Sequence, residues 1–368
     1  MPRVTFLKYF QCTVVLFFCI VTLAFAQEYT LFRAEVMQII PTEKDAYGRE
    51  TIEAKILEGS EAGKLITIES VGPSIHVGET FYAERGTRQE DGTPVYYFVD
   101  FNRVPINYFL IGLFIICAVL VGGKQGIRGL LALTGSLLLI FFVLLPGIRA
   151  GHSPALLSVI VAVPIVMFGS YLTHGFNKTT TAAVIGMLVT ITLTGALTYI
   201  IFPLAHLSGL WSEGAELLID SGKAGDGGYD FTGILFCGMI IGFLGILIDI
   251  AVAQAIAVEE LFRVNPLLSK KIARERALRM GREHIGTLIN MLAILYVAAA
   301  LPVLLYFLPA DHGQPPVLNS EVFSMEIMRT MLGSIGLMLA VPITTVLAVF
   351  MLYKNQPKSS AKNDNIAT

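Results

Sequence analysis

From residue 105 onward the chain is a succession of seven long apolar runs, at about 106–121, 130–146, 155–173, 182–203, 232–258, 286–308 and 330–353. Each comes close to the roughly 20 residues that a helix needs to cross about 30 Å of hydrocarbon. They predict a membrane α-helical bundle of about seven helices. The composition agrees: 54% of residues are hydrophobic and only 15% charged, with a mean hydropathy of +0.69. A soluble domain carries about 25% charged residues. The four cysteines, Cys12, Cys19, Cys117 and Cys237, all lie in apolar stretches without metal-ligand spacing. Neither disulfides nor a cysteine-based metal site is expected.

The first 26 residues carry Arg3 and Lys8, then the apolar run Thr13–Leu23, then Ala24-Phe25-Ala26. This is the pattern of a secretory signal with an A-x-A cleavage site, so the mature chain is expected to begin at Gln27. Residues 27–104 have a different texture. Strand-forming runs recur at Phe32–Ile40, Glu50–Leu57, Lys64–Val71, Glu79–Arg85 and Val95–Asn102, between turn signals such as Ala46-Tyr47-Gly48 and Asp91-Gly92-Thr93-Pro94. They predict a small five-stranded all-β, OB-like domain outside the cytoplasm. Its 14 acidic and 8 basic residues argue against nucleic acid as a partner.

With that domain outside, the first span runs inward and the chain alternates from there. Thirteen basic residues then fall in the inner segments and three in the outer loops after the first span. Cytoplasmic loops are the ones enriched in Lys and Arg, so the C-terminus is placed inside. This is the arrangement of a bacterial cytoplasmic-membrane protein with a signal peptide at 1–26, a β domain at 27–104, a transmembrane domain at 105–353 and a cytoplasmic tail at 354–368. The segment 262–285, with KKIARERALRMGREH, reads as a basic helix started by Ser269 and lying on the inner lipid surface. The acidic outer loop 204–231 reads either as a cation-attracting vestibule or as a solvated loop.

No phosphate-binding loop, H-E-x-x-H or G-x-S-x-G motif occurs, and the six histidines are scattered. No enzyme activity, cofactor or bound metal is expected. The polar residues that stand out belong to Gly238–Glu260. On a helix, Gly238, Gly242, Gly245, Asp249, Ala253, Ile256 and Glu260 fall within an arc of roughly 80°. That face combines small residues, which let another helix approach, with a carboxylate inside a span. An ionised Asp costs about 2.5–3.5 kcal/mol at a helix centre. Asp249 is therefore expected to face the bundle and meet a partner, with Asn290 or Thr287 on the next span as candidates beside Gly286. Two readings of Asp249 stand at this level: a proton- or cation-binding group on a pathway, and a hydrogen-bonded helix-packing residue. Gly333 and Gly336 form a second small-residue face. Thr344 and Thr345 are placed to re-satisfy carbonyls freed by Pro342. Glu260, Arg282 and Glu283 mark the cytoplasmic ends.

Several of these stretches resemble the YibE/F-like membrane proteins of bacteria. They are Gly242-Phe243-Leu244-Gly245 with Asp249 and Glu260-Leu261; Asn265-Pro266; Gly281-Arg282-Glu283 with Gly286-Thr287 and Asn290; and Gly333-Ser334-Ile335-Gly336 with Pro342-Ile343-Thr344. The β segment, with Leu57-Glu58-Gly59 and Val77-Gly78-Glu79, is similar as well. Departures fall at Glu283, His284 and Met291. The resemblance implies the architecture and supports Asp249 and Asn290, but it implies no substrate. The function expected is a transporter or channel-like protein for a small solute or ion. The alternative is a non-transporting scaffold or sensor whose β domain binds a partner. The bilayer is the one certain partner; a membrane or periplasmic protein, or further copies of the chain, are the others in view.

Overall fold

The computed structural model describes residues 31–40, 50–59, 61–70, 75–87, 94–212, 214–220, 228–307 and 319–353. The expected signal peptide and C-terminal tail lie outside them. The chain divides into two compact units, residues 1–123 and 124–368.

In the first unit five strands form an antiparallel sheet in the order β3-β2-β1-β4-β5. They are β1 (Leu31–Ile40), β2 (Glu50–Ile56), β3 (Leu65–Ser70), β4 (Thr80–Thr87) and β5 (Pro94–Phe101). All five expected strands are present, within one or two residues of the predicted bounds. The alternation is what encodes them: Ala34 and Val36, Ile52, Ala54 and Ile56, Ile66 and Ile68, and Phe81 and Ala83 all point inward and are buried. The edge strands β3 and β5 also lie against each other. At that seam Lys64 donates to the Tyr96 hydroxyl at 2.9 Å, and Tyr96 donates to Glu61. Arg85 meets Glu61 at 3.0 Å.

Helix α1 (Val104–Leu139) follows the sheet, and its backbone leaves helical geometry at Gly123, with φ 53 and ψ −130. It continues through a π-helical turn at Ile140–Leu144 into α2 (Leu145–Arg149). The apolar stretch Val104–Arg149 is 46 residues long, or about 70 Å if straight, more than twice the hydrocarbon thickness. Two of the expected spans thus fall within this stretch, one on each side of Gly123, whose positive φ suits glycine.

The second unit is built on α3 (Pro154–His174), α4 (Lys178–Leu204), α6 (Phe231–Val264), α7 (Lys270–Ala299) and α9 (Glu321–Leu352), with the short α5 (Ala215–Asp220) and α8 (Leu301–Phe307). Ser153, Asn177, Asp230 and Ser269 cap α3, α4, α6 and α7 by accepting from the backbone N–H three residues on. The buried core is drawn mainly from α3, α4, α6 and α9.

Among the described residues five helical stretches are long and apolar enough to cross a membrane: Val104–Arg149, α3, α4, α6 and α9. The expected sixth span, 286–308, is not among them. No strong breaker separates the basic segment from the apolar one, so both join in the single 30-residue α7. The helix is interrupted at Ala300 and resumes as the seven-residue α8. The charged first half of α7 and the break at its end leave no single apolar helix of spanning length.

Candidate intramembrane polar site

Helix α6 presents two faces with opposite surroundings. Leu235, Ile240, Leu244, Leu247, Ala251, Gln254, Ala255 and Val258 are buried. Gly238, Gly242, Gly245, Asp249, Ala253 and Ile256 are all exposed, and Glu260 is partly so. The predicted face therefore exists as one continuous surface, but it points out of the second unit's core. Nothing lies within 4 Å of a Cβ built on Gly238, Gly242 or Gly245.

Asp249 makes no hydrogen bond or ion pair among the described residues. The expectation that Asn290 or Thr287 would reach it is not met. Gly286, Thr287 and Asn290 are exposed on α7, whose buried positions are Ala273, Ala277, Gly281 and Leu292. Helix α7 packs mainly on α9 and less on α6, so its polar stripe is not drawn onto the carboxylate.

The polar group that does join these helices is Gln254. It lies five residues beyond Asp249, about 140° around the helix and 7.5 Å along it. It is 5% exposed. Its amide nitrogen donates to the Ala277 carbonyl on α7 at 2.8 Å and to the Thr345 hydroxyl on α9 at 2.7 Å. Thr345 in turn donates to the Val341 carbonyl at 2.7 Å, rather than to the Met338 carbonyl that Pro342 leaves free. Gly281 completes the junction: a Cβ there would stand 2.8 Å from the Gln254 Oε1 and collide with Val341. Gln254 was readable as a polar residue in a span, but its spacing from Asp249 places it off the face that drew attention.

A second polar seam runs between α4 and α9. Thr190 and Thr198 donate to carbonyls one turn back, both at 2.8 Å. The hydroxyls of Thr194, Ser334 and Thr344 are buried without a partner among the described residues. The helices meet closely here, since a Cβ on Gly186 would be 3.1 Å from the Thr344 Cα. One on Gly336 would be 2.9 Å from both Phe243 and Thr194. Gly336, one of the glycines expected to serve packing, lies at this close approach. Gly333 is buried with room around it, and Gly286 is open. Gly186 is a close-contact glycine that no sequence pattern singled out, and Gly281, noted only within the family resemblance, is another.

At the helix ends, Glu260 pairs with Arg263 at 2.7 Å. Arg282 and Glu283 are exposed, and the Arg282 Nε donates to the Leu278 carbonyl at 3.4 Å. Glu321, at the start of α9, accepts from the backbone N–H of Ser208 at 2.5 Å and of Gly209 at 2.9 Å. It also accepts from the Ser208 hydroxyl at 2.8 Å. This pins the segment after α4 to α9. Among the described residues no three His, Cys, Asp or Glu side chains are grouped so as to hold a metal ion.

The family model described as YibE/F-like protein matches residues 110–354. The chain belongs to the YibE/F-like family. The match takes in every residue of the polar features above and stops short of the β sheet, so the similarity noted for the β segment is not part of it. No curated protein and no solved structure matches the chain.

Proposed function

We propose that this family member is a multi-pass cytoplasmic-membrane transport protein, a transporter or channel-like protein for a small solute or ion, with Asp249 as the charge on its path. One observation carries this reading. A carboxylate stands halfway along an apolar 34-residue helix, exposed and without a partner among the described residues, beside glycines that leave open space. Facing lipid, that group costs several kcal/mol, so it belongs against water, a permeant ion or another protein surface. Thr287 and Asn290 add exposed polar groups on a neighbouring helix, away from Asp249.

The remaining parts fit around this proposal. Seven spans follow if Gly123 separates two crossings and the apolar half of α7 with α8 makes another. The positive-inside bias places residues 27–104 outside and the C-terminus inside. The contact of β3 with β5 and the Lys64–Tyr96–Glu61 seam support an OB-like closure of the sheet. The signal sequence at 1–26 accounts for its export.

The experiment is flux of protons, sodium and potassium in vesicles reconstituted with the whole chain. Asp249→Asn is expected to lower the flux by at least about tenfold while insertion is retained. Unchanged, pH-independent flux in that variant removes Asp249 from the mechanism. The sheet's own buried core favours one other reading, a scaffold or sensor whose β domain binds a partner. Deleting residues 27–104 separates the two: retained flux supports transport, and lost function with intact insertion supports partner binding.

A further inference from the structure

At the end of α9, on the side where α7 begins, a groove of about 330 Å³ is lined by Lys270, Lys271, Arg274, Val346, Val349 and Phe350. Its two walls differ in chemistry. One is three cations within five residues of α7, all exposed. The other is the last apolar turns of a membrane-spanning helix, with Val346 49% and Phe350 73% exposed. Lys270 is held at this boundary, its ammonium 4.6 Å from the centre of the Tyr353 ring and 5.8 Å from that of Phe350. Lys271 and Arg274 make no ion pair among the described residues.

The structure assigns this groove as a binding site for one anionic phospholipid, its phosphate on Lys271 and Arg274 and an acyl chain along Val346 and Phe350. The pairing of walls selects the occupant. A soluble phosphate would use the cations and leave the exposed valine and phenylalanine unexplained. A neutral lipid would use the apolar wall and leave the cations uncompensated. The C-terminal residues 354–368 follow directly after Tyr353, but with three lysines and one aspartate they have the wrong charge for a basic groove. Basic pockets at the membrane-facing ends of helices are suited to anionic headgroups. A bound lipid would also join α7 to α9 beyond the Gln254 junction.

The test uses the whole chain purified in mild detergent, with lipid retention read by native mass spectrometry. Phosphatidylglycerol should remain bound at one copy where phosphatidylcholine does not. Lys271→Gln and Arg274→Gln should each weaken retention about fivefold, from about 1 kcal/mol per cation at a membrane surface. Phe350→Ala should weaken it without changing the charge. Arg279→Gln on the same helix, outside the groove, should leave it unchanged. Helical content by circular dichroism identifies any variant that fails to fold, and the Lys271→Gln and Arg274→Gln results then stand on Lys271→Arg and Arg274→Lys, which should restore retention. Equal retention of both lipids, retention unaffected by the two neutralisations, or displacement by glycerol phosphate as effective as by the lipid would each overturn the assignment.

Discussion

Two polar side chains on α6 show how position decides the role of a residue inside a membrane. Gln254 and Asp249 are five residues apart, yet one is buried with two acceptors and the other is exposed with no partner among the described residues. Gln254→Ala removes the donor to both Ala277 and Thr345 and is predicted to lower stability by about 1–2 kcal/mol. Thermal unfolding in detergent measures this, and an unchanged midpoint would show that the junction contributes nothing. Asp249→Asn should leave the midpoint within about 0.5 kcal/mol, as expected where no described contact is lost. In the β unit, the hydrogen bond from Tyr96, with Lys64 and Arg85 nearby, holds the Glu61 carboxyl below its ordinary value of 4.5. Contact with Tyr96 and Glu61 holds Lys64 above 10.5. Glu61 therefore contributes stability above its unfolded value, lost as pH falls through the lower folded one. Lys64 contributes below its unfolded value, and its part is lost as pH rises through the higher folded one. Amide protection factors of β3 and β5 in the whole chain, corrected for the intrinsic pH dependence of exchange, should be highest between these limits, and in Tyr96→Phe that pH dependence should flatten.

At the scale of elements, the glycines sort by what a methyl group would meet. Gly186→Ala pushes against the Thr344 backbone and is predicted to cost about 1–3 kcal/mol through overpacking of α4 on α9. Gly242→Ala meets open space and should be neutral or slightly stabilising, since alanine is the better helix former. Comparing the two variants' unfolding midpoints checks this, and equal losses would contradict the helix arrangement. Sequence alone could not have drawn this distinction. The spans are apolar nearly all the way round, so no stripe marks which side meets a neighbour. The polar exceptions did define a face on α6, and that face is real, but burial of the opposite side by Leu244, Leu247 and Ala251 turned it outward. The strands were more legible, because residues alternating between core and water write their own register, as Ile52, Ala54 and Ile56 do. The fusion of the basic segment with the sixth apolar run was not legible, because neither Gly281 nor Gly286 stops a helix whose flanking residues are good helix formers.

For the whole molecule, family membership and five spanning-length helical stretches among the described residues indicate a membrane protein. Its spanning helices carry polar groups at the Gln254 junction, at the hydroxyl seam between α4 and α9, and on the open Asp249 face. The Asp249 face sets a carboxylate within a span beside open space, which is why transport is proposed for it. Its water access is the central claim. The direct measurement is reaction of Asp249→Cys, in a chain otherwise freed of cysteine, with a membrane-impermeant thiol reagent applied from either side of sealed vesicles. The account predicts labelling at Asp249→Cys and at Gly242→Cys, with Phe168→Cys, on the exposed apolar surface of α3, unlabelled. A cysteine at 249 that stays unreactive from both sides, in folded and inserted protein, would contradict it.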